Sequence, residues 1–368
     1  MSIPRHEKLS NGHFQAVAPA ASRRALNEFV VTEGFRPCTA SGPPQLMCIG
    51  FDASLWMHTV CNVFTYNHAG AGESPEIRTI FYRLVTVSQM LLHAHFVFDG
   101  PQRPKFKRGK NVKSAPHFLT RCFQELISAF GFTWHEAPGE AEAELAKLNT
   151  FGIVDAIFSD DSDVLVFGAS CVIRRQNEHY CDLVEIYTED ALEHGAHLTR
   201  GGLLLIALMS GGDYNDGIHG CGIDIAQKLA CYGLGDTLLQ AATTLPILEF
   251  VTIFCVKWRD EVCQTLTLDP LGILQRKYRE LAHTIQMTTD FPNPFAIANY
   301  LGPLTSWSND QPSFDGIVSS RQPDVTTITR FCVQHFSWPV ETLLNKMRGV
   351  WTAVAVRSFC QVRDHHYE

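Results

Sequence analysis

The chain has 368 residues, 45% of them hydrophobic, and carries 38 Asp and Glu against 30 Lys and Arg, a formal net charge of −8. That length accommodates a large core, one main α/β domain and smaller helical parts, while the acidic sum argues against a uniformly basic nucleic-acid binder. No apolar run is long enough to span a bilayer, nothing resembles a signal peptide, and the twelve cysteines show neither a CxxC pair nor His/Cys zinc spacing, so they read as reduced core thiols of a cytosolic or nuclear protein.

In chain order, residues 1–45 read as loop-rich, with one helix around 22–31. From Gln45 a βαβ pattern begins: a strand at 46–51, a helix at 76–92 with Ile77, Ile80, Phe81, Leu84 and Val85 at helical spacing, and a strand at 95–98. Helices are expected at 116–130 and 140–148, strands at 156–158, 171–174 and 184–187, and a buried helix at 203–209 leading into Gly211-Gly212-Asp213. After about Leu234 the pattern is helical. Residues 288–330 read as a boundary loop, and 325–363 as a terminal helical segment packed on the rest through Ile328, Phe331, Cys332, Phe336, Val340, Leu343, Leu344, Met347 and Val350. The fold class is α/β, with a mostly parallel sheet flanked by helices.

Seven acids stand out because they fall in five clumps, most just past a strand: Asp52, Asp99, Glu140 with Glu142, Asp161 with Asp163, and Asp213. In an open α/β sheet the ligand crevice lies beyond the carboxyl ends of the strands, so these side chains converge there. So much like charge in one crevice requires cations between the oxygens. The cluster is therefore a candidate multi-carboxylate Mg²⁺ site, and it accounts for much of the acidic sum. Glu140 and Glu142 are two apart, on different faces of a mid-helix, but Pro138-Gly139 marks a helix start whose first turn lets both acids point to the site. Glu144, one turn on, is either a third member or a solvated helix residue; Asp160 caps or faces solvent. Capping accounts for any one of these acids singly, but not for five segments presenting acids at one sheet edge.

The densest positive run, Arg103, Lys105, Lys107, Arg108, Lys110 and Lys113, emerges beside the proposed metal site, where it would offset the repulsion of an incoming phosphate; the plain alternative is a solvated loop. Gly217, Gly220 and Gly222 form a glycine hairpin opening a helix at 223–230, a place where backbone amides approach phosphates without reading sequence.

Phe-Asp-Ala-Ser-Leu-Trp (51–56), Phe-Val-Phe-Asp-Gly-Pro (96–101), Ala-Pro-Gly-Glu-Ala-Glu-Ala-Glu (137–144), Ser-Asp-Asp-Ser-Asp-Val-Leu-Val-Phe-Gly (159–168) and Gly-Gly-Asp-Tyr-Asn-Asp-Gly-Ile-His-Gly-Cys-Gly (211–222) resemble, in order and spacing, the motifs of the flap endonuclease / xeroderma pigmentosum G superfamily. Arg78–Leu84, Pro104–Arg108 and Gly220-Cys221-Gly222 are most similar to its fungal Holliday-junction resolvase branch. The resemblance implies a PIN-like nuclease core divided as 1–118 with a short basic arch, 119–210, a helix–two-turn–helix subdomain at 211–290 and a C-terminal loop and helical segment at 291–368. It implies hydrolysis of phosphodiesters in branched DNA (Holliday junctions, 5′-flaps, forks) by two Mg²⁺ ions about 4 Å apart, with Mn²⁺ able to substitute, in nuclear DNA repair and recombination. Asp52, Asp99, Glu140 and Glu142 would hold one ion, and Asp161, Asp163 and Asp213 the other. Lys105, Lys107, Arg108, Lys110 and the three hairpin glycines would contact DNA, with K⁺ at the hairpin. The expected partner is branched double-stranded DNA, bound by a protein that is monomeric in solution and can pair on a four-way junction.

Three departures from the family pattern matter: the chain begins Met-Ser-Ile rather than Met-Gly-Ile or Met-Gly-Val, Asp224 stands where a basic residue is usual, and His58 stands where a stacking aromatic is usual, with Trp56 either substituting or buried in the core. Two further readings stay open, a flap-type 5′ nuclease and a non-catalytic relative that binds branched DNA. The 41-position separation of Asp99 from Glu140 implies a short arch and, with the lack of a Gln-x-x-Leu-x-x-Phe-Phe tail, counts against the flap-type reading. A haloacid dehalogenase-type phosphatase is a weaker alternative, since it needs an Asp-x-Asp pair on its first strand and here that strand ends Asp-Ala-Ser.

Overall fold

The computed structural model describes residues 14–34, 36–37, 44–64, 73–104, 106–107, 110–111, 116–175, 183–308 and 321–361. Seven strands form the main sheet: β1 (Ser22–Ala25), β2 (Met47–Asp52), β3 (Leu92–Phe98), β4 (Thr133–Glu136), β5 (Ala156–Phe158), β6 (Cys171–Arg175) and β7 (Leu183–Thr188). Their spatial order is β1-β7-β6-β5-β2-β3-β4. From β6 to β4 every neighbouring pair is parallel, whereas β7 and β1 complete one side antiparallel. The sheet is thus mixed, with a parallel centre.

The central strands read clearly in sequence because β2, β3 and β5 are buried at every position, which favours mostly apolar runs over alternation; His93 and His95 of β3 and Asp52 at the end of β2 are the buried ionisable exceptions. Successive side chains still leave on opposite faces. Val97, Ile157 and Val172 enter one core with Leu145, Leu165 and Leu205, while Phe96, Phe158 and Ile173 enter the other with Phe51, Phe81 and Phe123. The sheet is therefore the partition between two cores.

The helices are α1 (Leu26–Gly34), α2 (Ala53–Phe64), α3 (Pro75–Ser88), α4 (Thr120–Ala129), α5 (Ala141–Thr150), α6 (Asp163–Val166), α7 (Glu189–Gly195), α8 (Arg200–Ser210), α9 (Ile223–Ala230), α10 (Leu234–Thr244), α11 (Cys255–Leu268), α12 (Arg279–Met287), α13 (Pro294–Leu301), α14 (Val325–Phe336) and α15 (Val340–Gln361). None is long and apolar enough to cross a membrane. Nine cysteines of the described residues, Cys48 to Cys332, are free thiols.

Several expectations need correcting. The helix expected at 22–31 is a strand followed by a helix: β1 pairs with β7, and Arg23 meets Glu185 at 3.0 Å, so tertiary pairing overrides local preference. The helix expected from Pro116 begins only at Thr120. In the terminal segment Ile328, Phe331, Cys332, Phe336, Leu343, Met347 and Val350 share the core of Phe81 and Phe96, but Val340 and Leu344 are exposed. Trp56 is a core residue, edge-on to Phe51 and Phe96 and stacked on Phe123. Where a short arch was expected, two-residue strands Phe106–Lys107 and Lys110–Asn111 pair as a hairpin.

Candidate functional site

Each acid is set by the end of an element. Asp52 closes β2 and its Oδ1 accepts the Leu55 amide at 3.0 Å, capping α2. Asp99 follows β3; its Oδ1 accepts the Ala141 amide at 3.0 Å, tying it to the start of α5, and its Oδ2 takes the Arg103 guanidinium at 2.8 Å. Glu140 occupies the extended N-cap of α5 and Glu142 its first turn, as Pro138-Gly139 implied. Asp161 follows β5 and its Oδ1 accepts the Asp163 amide at 3.0 Å, while Asp163 opens α6. Asp213 lies past the end of α8, 2% exposed.

Oxygens of Glu142, Asp161 and Asp213 lie within 4.8 Å of one another, a spacing able to enclose one cation. This trio takes one acid from the first expected ligand group and two from the second. Asp163 instead meets the Tyr300 hydroxyl, which donates to its Oδ2 at 3.0 Å.

The residue that sequence reasoning placed on DNA and the structure places among the acids is Lys107. Its ammonium lies 2.5 Å from Asp213, 2.7 Å from Glu140 and 3.6 Å from Glu142. Burial alone would depress its pKa, but the charges of Glu142, Glu140 and Asp161 outweigh burial and hold it above the usual lysine range. Burial also pushes Asp52 up to about 7, with the Asp99 charge adding to it and the Leu55 and Ser54 amides opposing. Glu142 is held well above the carboxylate range, first by burial and then by Asp161, Asp52 and Glu140, with Lys107 acting against them. Buried Glu142 Oε2 has no hydrogen-bond donor among the described residues. Hard oxygen donors, raised carboxyl pKa values and an ammonium already lodged between them fit a divalent cation such as Mg²⁺.

Two tyrosines, neither singled out from sequence, brace the cluster. The Tyr214 hydroxyl donates to Glu140 Oε2, and Tyr300, packed edge-on against Tyr214 with centroids 4.8 Å apart, reaches Asp163. Tyr214 stands inside the Gly-Gly-Asp-Tyr motif and was visible in sequence; Tyr300 is 87 positions beyond Asp213 and carried no local signal. Glu144 is neither a ligand of this cluster nor solvated. It is fully buried, accepting the Ser306 amide at 2.9 Å and meeting His135 Nε2 at 3.1 Å. His135 continues through His95 to Thr133 and His93, a buried polar chain with steps of 2.7 to 2.9 Å.

Among the expected DNA contacts, Lys105 and Arg108 lie outside the described residues, and Lys110 is placed only by its backbone in the hairpin. Gly220 has φ +85°, and a side chain at Gly220 or Gly222 would meet open space; Gly222 is also the N-cap of α9. Gly217 has an internal reason to be glycine, since a Cβ there would strike the Gly211 backbone. Asp224, in the first turn of α9, pairs with Lys228 at 3.2 Å.

The XPG I-region family model matches residues 131–213, the stretch from β4 through Asp213. Flap endonuclease GEN homolog 1 of Mus musculus is 32% identical over 214 residues, 52% of this chain and 23% of the relative. DNA excision repair protein ERCC-5 homolog of Xenopus laevis is 27% identical over 252 residues, 66% of this chain and 19% of the relative. Among solved structures, the Holliday junction-resolving enzyme GEN1 in complex with product DNA and Mg²⁺ ion superposes with a TM-score of 0.70 at 27% identity, over 92% of this chain and 77% of that one. The chain is thus similar to members of the flap endonuclease / XPG superfamily, most directly across the XPG I-region at 131–213. It spans less than a quarter of the length of these two curated superfamily relatives. The catalytic core of Rad2, at 20% identity and a TM-score of 0.62, shares the fold.

Proposed function

We propose that this chain is a metal-dependent, structure-specific DNA endonuclease of the nucleus that hydrolyses phosphodiester bonds at branched double-stranded DNA in repair and recombination. The observation that carries this reading is the cation-shaped cluster of Glu142, Asp161 and Asp213, with Lys107 held between its neighbours. Four-way junctions are the favoured substrate: the GEN1 structures match at 27–28% identity and TM-scores of 0.70–0.72, above the Rad2 core, and the described residues between Asp99 and α4 carry a small two-stranded hairpin. Two copies on one junction would make the paired cuts.

Glu142, Asp161 and Asp213 would hold one divalent ion, and Asp52, Asp99, Glu140 and Asp163 would complete a two-ion site directly or through water, with Mn²⁺ able to replace Mg²⁺. Ions bound there would assist attack by water and neutralise the departing oxygen of a poor leaving group. The chain's own part is to orient and to balance charge. Arg103 and the α5 amide fix Asp99, and Tyr214 fixes Glu140. With a cation held by the carboxylates, Lys107 would be free to face the scissile phosphate, and Lys105, Arg108 and Lys110 are the further candidate phosphate contacts. Gly220 and Gly222 offer exposed backbone to the uncut duplex, where K⁺ held by hairpin carbonyls would strengthen the grip.

The test is cleavage of 5′-flap, fork and four-way-junction oligonucleotides side by side with Mg²⁺, Mn²⁺ or EDTA. Metal-dependent cutting fastest on the junction is expected. Binding of all three without cutting in either metal would overturn the enzymatic reading, and preference for the flap would overturn the junction assignment.

A further inference from the structure

Tyr300 comes from α13, outside the 131–213 stretch matched by the family model, yet its hydroxyl reaches two of the seven acids. It donates to Asp163 Oδ2 at 3.0 Å and accepts the Asp213 backbone amide at 3.2 Å. The ring is fully buried between Phe167, 5.7 Å away, and Tyr214, and α13 is fixed by Pro294 in its first turn and by Asn293, whose side chain caps the Ala296 amide at 3.0 Å. Such a ring has little freedom to follow the acids, so the acids must follow it. Gly212 supports the same point. A Cβ there would fall on the Tyr300 oxygen, while its next neighbours, Tyr300 Cζ and Ala207 Cβ, stand at 3.5 and 3.6 Å, ordinary contact distances. Gly212 is therefore glycine to leave room for one hydroxyl.

We infer that Tyr300 is a positioning residue for metal binding, which clamps the loop of Asp213 to the first turn of α6 and so sets the spacing at which their carboxylates receive a cation. The inference rests on the reading of those carboxylates as ligands. A hydrogen-bond partner that orients a ligand is worth about ten- to a hundredfold in metal affinity, because without it the ligand must be ordered when the ion arrives.

The experiment titrates Mn²⁺ into the DNA-free protein by calorimetry for the wild type, Tyr300→Phe, Gly212→Ala, the double variant and Asp161→Asn, alongside thermal unfolding and kcat and KM on a branched substrate. Tyr300→Phe is expected to weaken Mn²⁺ about tenfold and to lower kcat while leaving KM for DNA unchanged. Gly212→Ala, which displaces the hydroxyl, should do the same. The double variant should be no worse than Tyr300→Phe alone, since the added methyl then has room. Unchanged Mn²⁺ affinity in Tyr300→Phe, with only a lower Tm, would overturn the inference, as would a double variant whose loss is the product of the two single losses. If the wild type takes up no Mn²⁺, or Asp161→Asn binds it equally well, the ligand assignment itself falls and takes the inference with it; the inference alone falls when Asp161→Asn loses Mn²⁺ but Tyr300→Phe does not.

Discussion

An ammonium within 4 Å of three carboxylates is a counter-ion before it is anything else, and Lys107 gives the metal-free cluster a way to exist. Replacing it by Met should leave the acids facing one another. The metal-free variant should lose roughly 3 kcal/mol of stability, the scale of breaking a largely buried ion pair, and Mg²⁺ should restore more stability to it than to the wild type. Thermal unfolding with EDTA and with Mg²⁺ measures both; an unchanged metal-free Tm would place Lys107 outside the cluster. Loss of a ligand has a different signature. Asp161→Asn or Asp52→Asn should lower cleavage by about a thousandfold or more, several kcal/mol of transition-state stabilisation, while branched-DNA binding in Ca²⁺ stays near normal. Near-normal turnover in either variant would sink the two-metal assignment. The acids were legible because a carboxylate after an apolar run keeps its meaning whatever the details of packing. Docking of Lys107 and Tyr300 was not, because both reach the site through tertiary placement rather than through spacing in the chain.

Elements were legible in proportion to their burial. β2, β3 and β5 are buried at every position and mostly apolar, whereas β4, Thr-Trp-His-Glu, alternates half-buried and exposed positions, and it escaped sequence reading. Its pairing with β3 creates the chain from His93 to Glu144, and that chain has a consequence for pH. Burial first, and then the neighbouring His135 and His93, hold His95 well below the usual histidine pKa, so the folded state keeps the ring neutral while the unfolded state protonates it. Below the unfolded value, about 6.5, the unfolded chain binds more protons, and stability falls as pH drops. Glu144 faces His135 from α5, and Thr133 bridges His93 and His95, so the deficit is shared along the chain. Wild-type Tm should therefore drop more between pH 7.5 and 5.5 than that of His95→Gln; equal drops would clear His95. On α9, Asp224 opposes an anion near the hairpin even while paired to Lys228. Asp224→Lys should tighten branched-duplex binding by about 1 kcal/mol at low salt, fading as salt rises. An equal gain on single strands would indicate bare charge attraction rather than a duplex grip.

The whole molecule depends on segments far from the motifs. α14 and α15 place Phe331 and Met347 in the core that also holds Phe81 and Phe96, so the end of the described chain is part of the same interior as the central strands. Phe331→Ala should cost about 3–5 kcal/mol, read by urea unfolding, and should weaken every activity of the protein together. At the opposite end of the sheet, Ser-Arg-Arg-Ala has nothing of a strand in its composition, yet it pairs residue for residue with 183–186. β1 thereby acts as a guard strip. With it in place the outermost backbone carries the exposed Ser22 and Arg23; without it, β7, with Val184 and Ile186 buried behind it, would present a bare row of amides and carbonyls to any other chain in solution. Replacing Arg23 and Arg24 by proline, which removes backbone donors from β1 but leaves the core residues Phe14 and Val17 in the chain, should keep the acidic cluster and yet cause self-association in proportion to concentration, visible by light scattering, which makes these four residues a determinant of solubility rather than of chemistry.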